Sequence, residues 1–397
     1  VAAVVTPETL PLLRAASEGL DLTTIVVGDA PEGTVAFATL DAAEPSPIVA
    51  RGDDDLAALL YTGGTTGRAK GVMLTHRGLW SAGHGLYVGR DPSITRTITP
   101  VPLSHAYGML LTIVSLHSTE AGTNILMRWF DAPTWVRLVE EHRIQVSAVV
   151  PSMLTMILQQ PLEEHDLSSL AWLGSGAAPL PMALREQVRQ RLGVEIYEGY
   201  GLTESSALLT GNRVESNRPG SVGRPIPGVE VAILDLEGRP VPPGTEGEVC
   251  ARGPGTMKGY WNDEGQTAQT LRDGWLHTGD VGKLDEDGYL YIVDRMKDLI
   301  IRGGFNVYPR DVEDALLEHP DVIQAAVVGR PDEESGEEVV AVVALRPGAT
   351  VTGADLVAWA SSRLTKYKYP REIRVVEAVP LTSVGKTDRK AVRKMFA

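Results

Sequence analysis

The stretch Tyr61–His76, YTGGTTGRAKGVMLTH, places four glycines, four threonines and an arginine-lysine pair within sixteen positions. Glycine lets a backbone approach a ligand closely, amide N–H groups and hydroxyls donate hydrogen bonds, and Lys70 adds a compact cation, a set suited to a polyphosphate. A Walker A loop is excluded, because that motif puts its lysine directly after a glycine, whereas Lys70 follows Ala69. The residues alone leave two readings open, a phosphate cradle and a surface loop. In YEGYGLTE at 197–204, Tyr200, Thr203 and Glu204 offer an aromatic face, a hydroxyl and a carboxylate. The same pattern also fits a turn after a buried strand, with Tyr200 as core filler. Asp280 in HTGDVG is an acceptor-only carboxylate able to take two hydrogen bonds from vicinal hydroxyls. Lys386 in SVGKTDR is a cation on a loop. GSGAAPLP at 174–181 is not a dinucleotide fingerprint, since Pro179 stands where the third glycine belongs.

Regular elements must position these groups. VAAVV, PETLPLLRAASEG and LTTIVVGD read as strand, helix and strand. The alternation recurs in DAPTWVRLVEEHRIQ before VSAVVPS, and in PMALREQVRQRLG before VEIYEGYG, where Leu184, Val188 and Leu192 share one helical face. A parallel sheet is expected there. From about Val222 short strands divided by Gly, Pro and acidic turns predict antiparallel hairpins. The fold class is α/β: a large N-terminal domain with mostly parallel sheets plus antiparallel hairpins, then a small mobile α+β C-terminal domain. The boundary is expected near Asp294–Asp298, giving residues 1–296 and 297–397.

A chain of 397 residues with 43% apolar content can bury a large core. The formal charge of −14 argues against a nucleic-acid protein with a basic surface, so any anion site is local. One cysteine, Cys250, permits neither an internal disulfide nor a cysteine-rich zinc cage, which fits a reducing cytoplasm. No run reaches the roughly 18 apolar residues of a membrane span. The basic tail RKAVRK reads as a solvated helix face.

The loop at 61–76, LGSGAAPLP, YEGYGLTE, LHTGDVG, DRMKDLIIRGG and PLTSVGKTDRK together, in this order, resemble the acyl-adenylate-forming superfamily, in particular bacterial fatty-acid:CoA ligases. The resemblance covers essentially the whole chain. It implies that Thr62, Gly63, Gly64, Thr65, Thr66, Gly67 and Lys70 hold the β- and γ-phosphates of ATP. It gives Tyr200 the adenine, Thr203 the α-phosphate, Glu204 the Mg²⁺ ion, and Gly176, Ala177 and Ala178 the border of the adenine and acyl pocket. Asp280 and Arg295 would bind the ribose, Lys386 would be the catalytic lysine, and Lys297 would occupy the hinge. Arg302, Gly303 and Gly304 would line a pantetheine tunnel, against the competing reading of a hairpin turn. His105 matches a substrate-side position, although a lone histidine also serves structure.

The family implies ATP-dependent activation of a carboxylic acid to an acyl-adenylate, then thioester formation with coenzyme A. The apolar run Met109–Leu116 and the small Ala177 and Ala178 favour a medium- or long-chain fatty acid, with aromatic acids second. An adenylation module loading a carrier protein and a non-catalytic nucleotide-binding fragment are the alternatives. A homodimer is the expected assembly. Only 60 residues precede Tyr61, so a stretch on the order of 100 N-terminal residues is expected to be missing relative to the family.

Overall fold

The strand Val146–Val149 is buried at all four residues, as a parallel strand covered on both faces must be. It lies inside a seven-stranded sheet whose parallel members include Thr123–Leu126, Arg96–Thr99, Trp172–Ser175 and Glu195–Tyr200. Two short antiparallel strands, Thr210–Gly211 and Arg224–Pro225, complete one edge. Helices Ala132–Glu141, Pro151–Leu158 and Met182–Leu192 pack on it, and Trp135, Val139, Ile157 and Val188 are fully buried in one apolar cluster. Inside that cluster the Trp135 indole donates to Ser147 Oγ at 3.0 Å, so its one polar atom is satisfied. Gly193 ends the third helix with φ +71°, a left-handed cap that glycine adopts without strain.

This computed structural model describes residues 1–63, 69–235, 237–382 and 386–397. The chain divides into two units, Val1–Gly52 and Asp53–Ala397. The first contains a three-stranded parallel sheet of Ala2–Val5, Thr23–Val26 and Val35–Ala36, with the helix Leu10–Ala16. The second contains the seven-stranded sheet and everything that follows.

From Val222 to Arg295 the pairing is antiparallel, as expected, whereas Gly336–Leu345 and Glu372–Val376 later pair in parallel. Glu230–Leu234, Gly247–Arg252, Trp275–Leu284, Leu271–Arg272 and Leu290–Arg295 form one five-stranded sheet. Leu56–Gly63 and Ala69–Thr75 form a hairpin that Gly259–Tyr260 extends. After Arg295 a further five-stranded sheet of Phe305–Val307, Ile300–Arg302, Gly336–Leu345, Val322–Asp332 and Glu372–Val376 has apolar clusters of its own on each face. Val312, Ala315 and Leu316 of the helix Pro309–Leu317 are buried, as their spacing predicts. The tail helix keeps Lys390, Arg393 and Lys394 exposed, as expected, whereas Arg389 is turned inward, its Nη1 2.6 Å from Glu313 Oε1. No helix among the described residues is long and apolar enough to cross a membrane.

Gly223 ties the parallel sheet to the antiparallel one. Its carbonyl accepts from Leu290 N at 2.9 Å, its φ is +84°, and a Cβ there would sit 2.0 Å from the carbonyl carbon of Gly211. Gly223→Ala is expected to cost about 3 kcal/mol, combining left-handed strain with a backbone clash. The urea midpoint measures this, and an unchanged midpoint would contradict the packing described.

Candidate functional site

Nearly all of the chemistry-bearing residues of the second unit open onto one cleft of about 2060 Å³. Its walls include Thr62, Lys70, His105, Gly176, Ala177, Ala178, Tyr200, Thr203, Glu204, Asp280, Arg295, Lys297 and Lys386. Gly63 sits at the end of the strand Leu56–Gly63, in register with Ala69, while Thr62 faces Lys70 across the same hairpin. The hairpin thus brings Thr62 and Lys70 to the cleft. Gly64, Thr65, Thr66 and Gly67 lie outside the described residues.

Asp280 is the most enclosed of the charged groups, 3% exposed. It lies opposite Arg295 in antiparallel register. Arg295 Nε is 3.1 Å from Oδ1, and the Tyr200 hydroxyl donates to Oδ2 at 2.6 Å. Each carboxylate oxygen keeps a second lone pair, enough for two ligand hydroxyls. Burial, and next the Asp280 charge, raises the Tyr200 phenol well above its ordinary value, so it stays a donor. Sequence gave Tyr200 an aromatic face; the structure adds a polar tip fixed on Asp280.

Thr203 and Glu204 occupy a single 3-10 turn, Thr203–Ser205, directly after the strand Glu195–Tyr200. Gly201 makes this turn possible, since a Cβ there would lie 2.4 Å from the Ala207 carbonyl oxygen. Ser206 and Ala207 follow with φ +54° and +78°, a left-handed pair costing about 1–2 kcal/mol per residue. Ala177 likewise has φ +67°, so backbone strain gathers along the cleft wall. The Glu204 carbonyl accepts from Met257 N at 2.8 Å, and its Oε1 accepts from the Tyr260 hydroxyl at 2.7 Å. Lys70 stands 5.0 Å from the centre of the same Tyr260 ring and donates to Gln266 Oε1.

His105 caps the helix Ala106–Ser115, its Nδ1 accepting from Tyr107 N at 3.2 Å. That bond leaves Nε2 to carry the proton of the neutral ring. Burial, helped by the charge of Lys386, pushes His105 down to about 4. It is therefore both a structural cap and a neutral cleft residue. Lys386 reaches the cleft from the far end of the chain. Its backbone is tied to Thr382, whose N donates to the Lys386 carbonyl at 2.7 Å and whose Oγ1 accepts from Lys386 N at 3.2 Å. Burial, then Arg295, lowers its ammonium below the ordinary lysine value, while Asp280 and Glu204 oppose that shift.

Some expected residues stand elsewhere. Gly303 and Gly304, φ +56° and +81°, form the two-residue tip joining Ile300–Arg302 to Phe305–Val307, the backbone signature of a tight hairpin, and they are absent from the cleft walls. Arg302 is consumed by Glu338, with Nε–Oε1 at 2.9 Å and Nη2–Oε2 at 3.0 Å, and donates to the Tyr367 carbonyl at 3.1 Å. In this arrangement the segment is a hairpin turn away from the cleft. Lys297 lies in the short turn Met296–Asp298, at the start of the C-terminal elements.

Other cleft residues escaped the sequence reading. Tyr260 and Gln266 meet Lys70 although 196 positions separate Lys70 from Gln266, and no local pattern links them. Ser175 Oγ is buried at the cleft with no hydrogen-bond partner among the described residues. Glu198 is pushed up to about 7 by burial, with Arg185, 3.5 Å away, opposing. Its place within YEGYGLTE was visible, but its burial was not.

The site can be set beside known proteins. Residues 1–261 match the AMP-binding enzyme family, and residues 311–386 match the AMP-binding enzyme C-terminal domain. A long-chain-fatty-acid–CoA ligase of Bacillus subtilis (strain 168) is 40% identical over 85% of this chain, which spans 61% of that protein, less than two thirds of its length. A feruloyl-CoA synthase of Amycolatopsis sp is 40% identical over 90% of this chain and 73% of its own. The solved structure of ATP-bound MatB from Rhodopseudomonas palustris superposes with a TM-score of 0.89 at 34% identity, covering 100% of this chain and 79% of that one. Matched along two thirds of its length by the first of those family profiles, and at its C-terminal end by the second, this chain belongs to the AMP-binding enzyme family.

Proposed function

We propose that this chain belongs to an ATP-dependent acid–thiol ligase, which couples a carboxylic acid to AMP with release of pyrophosphate and then passes the acyl group to coenzyme A. The observation that carries this is the convergence of Lys386, Arg295, Asp280 and Glu204 in one cleft with the ends of the 61–76 loop. In that reading Thr62, Gly63, Gly64, Thr65, Thr66, Gly67 and Lys70 take the β- and γ-phosphates. Asp280 and Arg295 take the ribose, Tyr200 the adenine, and Thr203 the α-phosphate. Glu204 and Thr203 present hard oxygen donors of the kind Mg²⁺ prefers, and the ion would supply charge neutralisation on the triphosphate.

Adenylation joins two anions, a carboxylate and the α-phosphate. The protein's contribution is to hold them in line and to place the Lys386 cation against the developing charge. In this reading Lys386, seated in the cleft for the first step, would stand in the way of a thiol approaching the same carbonyl. The reading therefore makes residues 297–397 a separate domain that swings about Lys297 between the two half-reactions. Gly303 and Gly304 would approach coenzyme A only after such a swing.

For the acid, the cleft wall formed by Leu110, Leu111, Val114, Ala148 and Ile226 favours an apolar tail, and a medium- or long-chain fatty acid is the first candidate. An aromatic acid is the second, supported by the likeness to the feruloyl-CoA synthase. An acid panel graded in chain length and including cinnamic-type acids, read by acid-stimulated ATP–pyrophosphate exchange, decides between them. Exchange with no acid would sink the ligase reading.

Lys386→Ala is expected to cut acid-dependent pyrophosphate exchange about 100-fold or more while leaving thioesterification of a supplied acyl-adenylate within about threefold. Equal loss of both would contradict the role given to Lys386. The pH dependence follows from the two shifted groups. His105, held near 4, is neutral from pH 5 upward, so adenylation shows no rising limb near pH 6.5 that His105→Asn removes. Lys386 must be charged, so activity falls as pH rises through its lowered pKa. Lys386→Arg, whose guanidinium keeps its proton, moves that alkaline limb upward; a pH–rate profile with an unmoved limb would refute the assignment.

A further inference from the structure

Three side chains outside the nucleotide-facing residues converge on one ring nitrogen. The Glu248 carboxylate Oε2 lies 2.7 Å from His277 Nδ1, the Cys250 sulfur lies 3.3 Å from it, and Arg272 Nη2 lies 2.8 Å from it. The backbone explains the meeting. Gly247–Arg252 and Trp275–Leu284 are antiparallel neighbours, with Cys250 paired to His277 and a register shift between Glu248 and Cys250 that puts both side chains beside the imidazole. The hairpin between Leu271–Arg272 and Trp275–Leu284 delivers Arg272.

The ring nitrogen cannot serve both polar neighbours at once, although Glu248 is itself held by Gly279 N at 3.2 Å and by Arg272 Nη2 at 3.6 Å. A ring nitrogen carries either one proton or one lone pair. If Nδ1 donates to Glu248, the Arg272 N–H points at another N–H. If Nδ1 accepts from Arg272, the carboxylate faces a lone pair. Cys250 is 0% exposed, and the His277 and Glu248 side chains, at 11% and 16%, show only an edge to the cleft. A cation that accepts lone pairs from sulfur, nitrogen and oxygen together would satisfy all three side chains.

We propose that Glu248, Cys250 and His277 form a site for a thiophilic divalent cation of the zinc class, and that the Arg272 guanidinium is its internal competitor. One ligand atom from each residue lies within 4.8 Å of the others. Zinc holds sulfur, nitrogen and oxygen at about 2.0–2.3 Å, which sets ligand atoms roughly 3.3–3.6 Å apart around a tetrahedron. The sulfur–nitrogen spacing already matches, and the carboxylate must withdraw by about half an ångström. Binding forms a metal–sulfur bond and releases the thiol proton to solvent. Glu248, Arg272 and His277 line the cleft, which gives an ion its entry path, and the fourth position stays open to water. Arg272 is 51% exposed at its side chain and has room to swing away.

Cobalt(II) titration of the full 397-residue chain under reducing conditions tests the site. Cys250 is the only cysteine, so a thiolate-to-cobalt charge-transfer band can come from nowhere else. The expected result is one cobalt per chain with that band, bleached by added zinc. The band is lost in Cys250→Ser and weakened at least tenfold in affinity in His277→Gln, while Arg272→Ala binds at least tenfold tighter. Absence of the band, a band unaffected by His277→Gln, or an Arg272→Ala variant that binds no tighter overturns the proposal. The readout is independent of ligase activity.

Discussion

A nearly dry carboxylate, Asp280, is the constraint from which the site follows. Burying such a charge is costly unless it is paired and hydrogen-bonded, and here one oxygen has Arg295 and the other has the Tyr200 hydroxyl. Those two contacts join three parts of the fold. Tyr200 ends a strand of the seven-stranded sheet, Asp280 lies within the antiparallel sheet, and Arg295 is the last residue before the C-terminal elements. Lys386 enters the same field from the far end of the chain, close enough for Asp280 and Glu204 to favour its charged form against burial and Arg295. Two cations and two carboxylates are thus gathered in one cleft.

The elements carrying this arrangement were legible because their local rules agree. The helix Met182–Leu192 has its apolar stripe at Leu184, Val188 and Leu192 and its stop at Gly193, and it forms as written. Val146–Val149 is a continuous apolar-to-small run, and it becomes a fully buried parallel strand. The site residues on motifs were legible in the same way, since Thr203, Glu204 and Asp280 are neighbours of turns whose glycines announce them.

Contacts between distant segments were not legible. Nothing near Tyr260 indicates that its hydroxyl meets Glu204 or that its ring lies under Lys70, because both contacts arise from a third strand joining the Leu56–Thr75 hairpin. Arg302 is another such case: beside two glycines nothing announced its pairing with Glu338 on the neighbouring strand, which a buried guanidinium requires. In the tail, Lys390, Arg393 and Lys394 are exposed as read, while the inward contact of Arg389 with Glu313 was not visible.

The central claim is that a nucleotide lies with its ribose on Asp280 and its α-phosphate end towards Lys386. A crystal structure of this chain with a non-hydrolysable acyl-adenylate mimic, an acyl-sulfamoyl adenosine, tests it most directly. The account predicts both ribose hydroxyls within hydrogen-bonding distance of the Asp280 carboxylate and the Lys386 ammonium against the acyl–sulfamoyl linkage. Density for the mimic elsewhere, or a ribose that ignores Asp280, would contradict it.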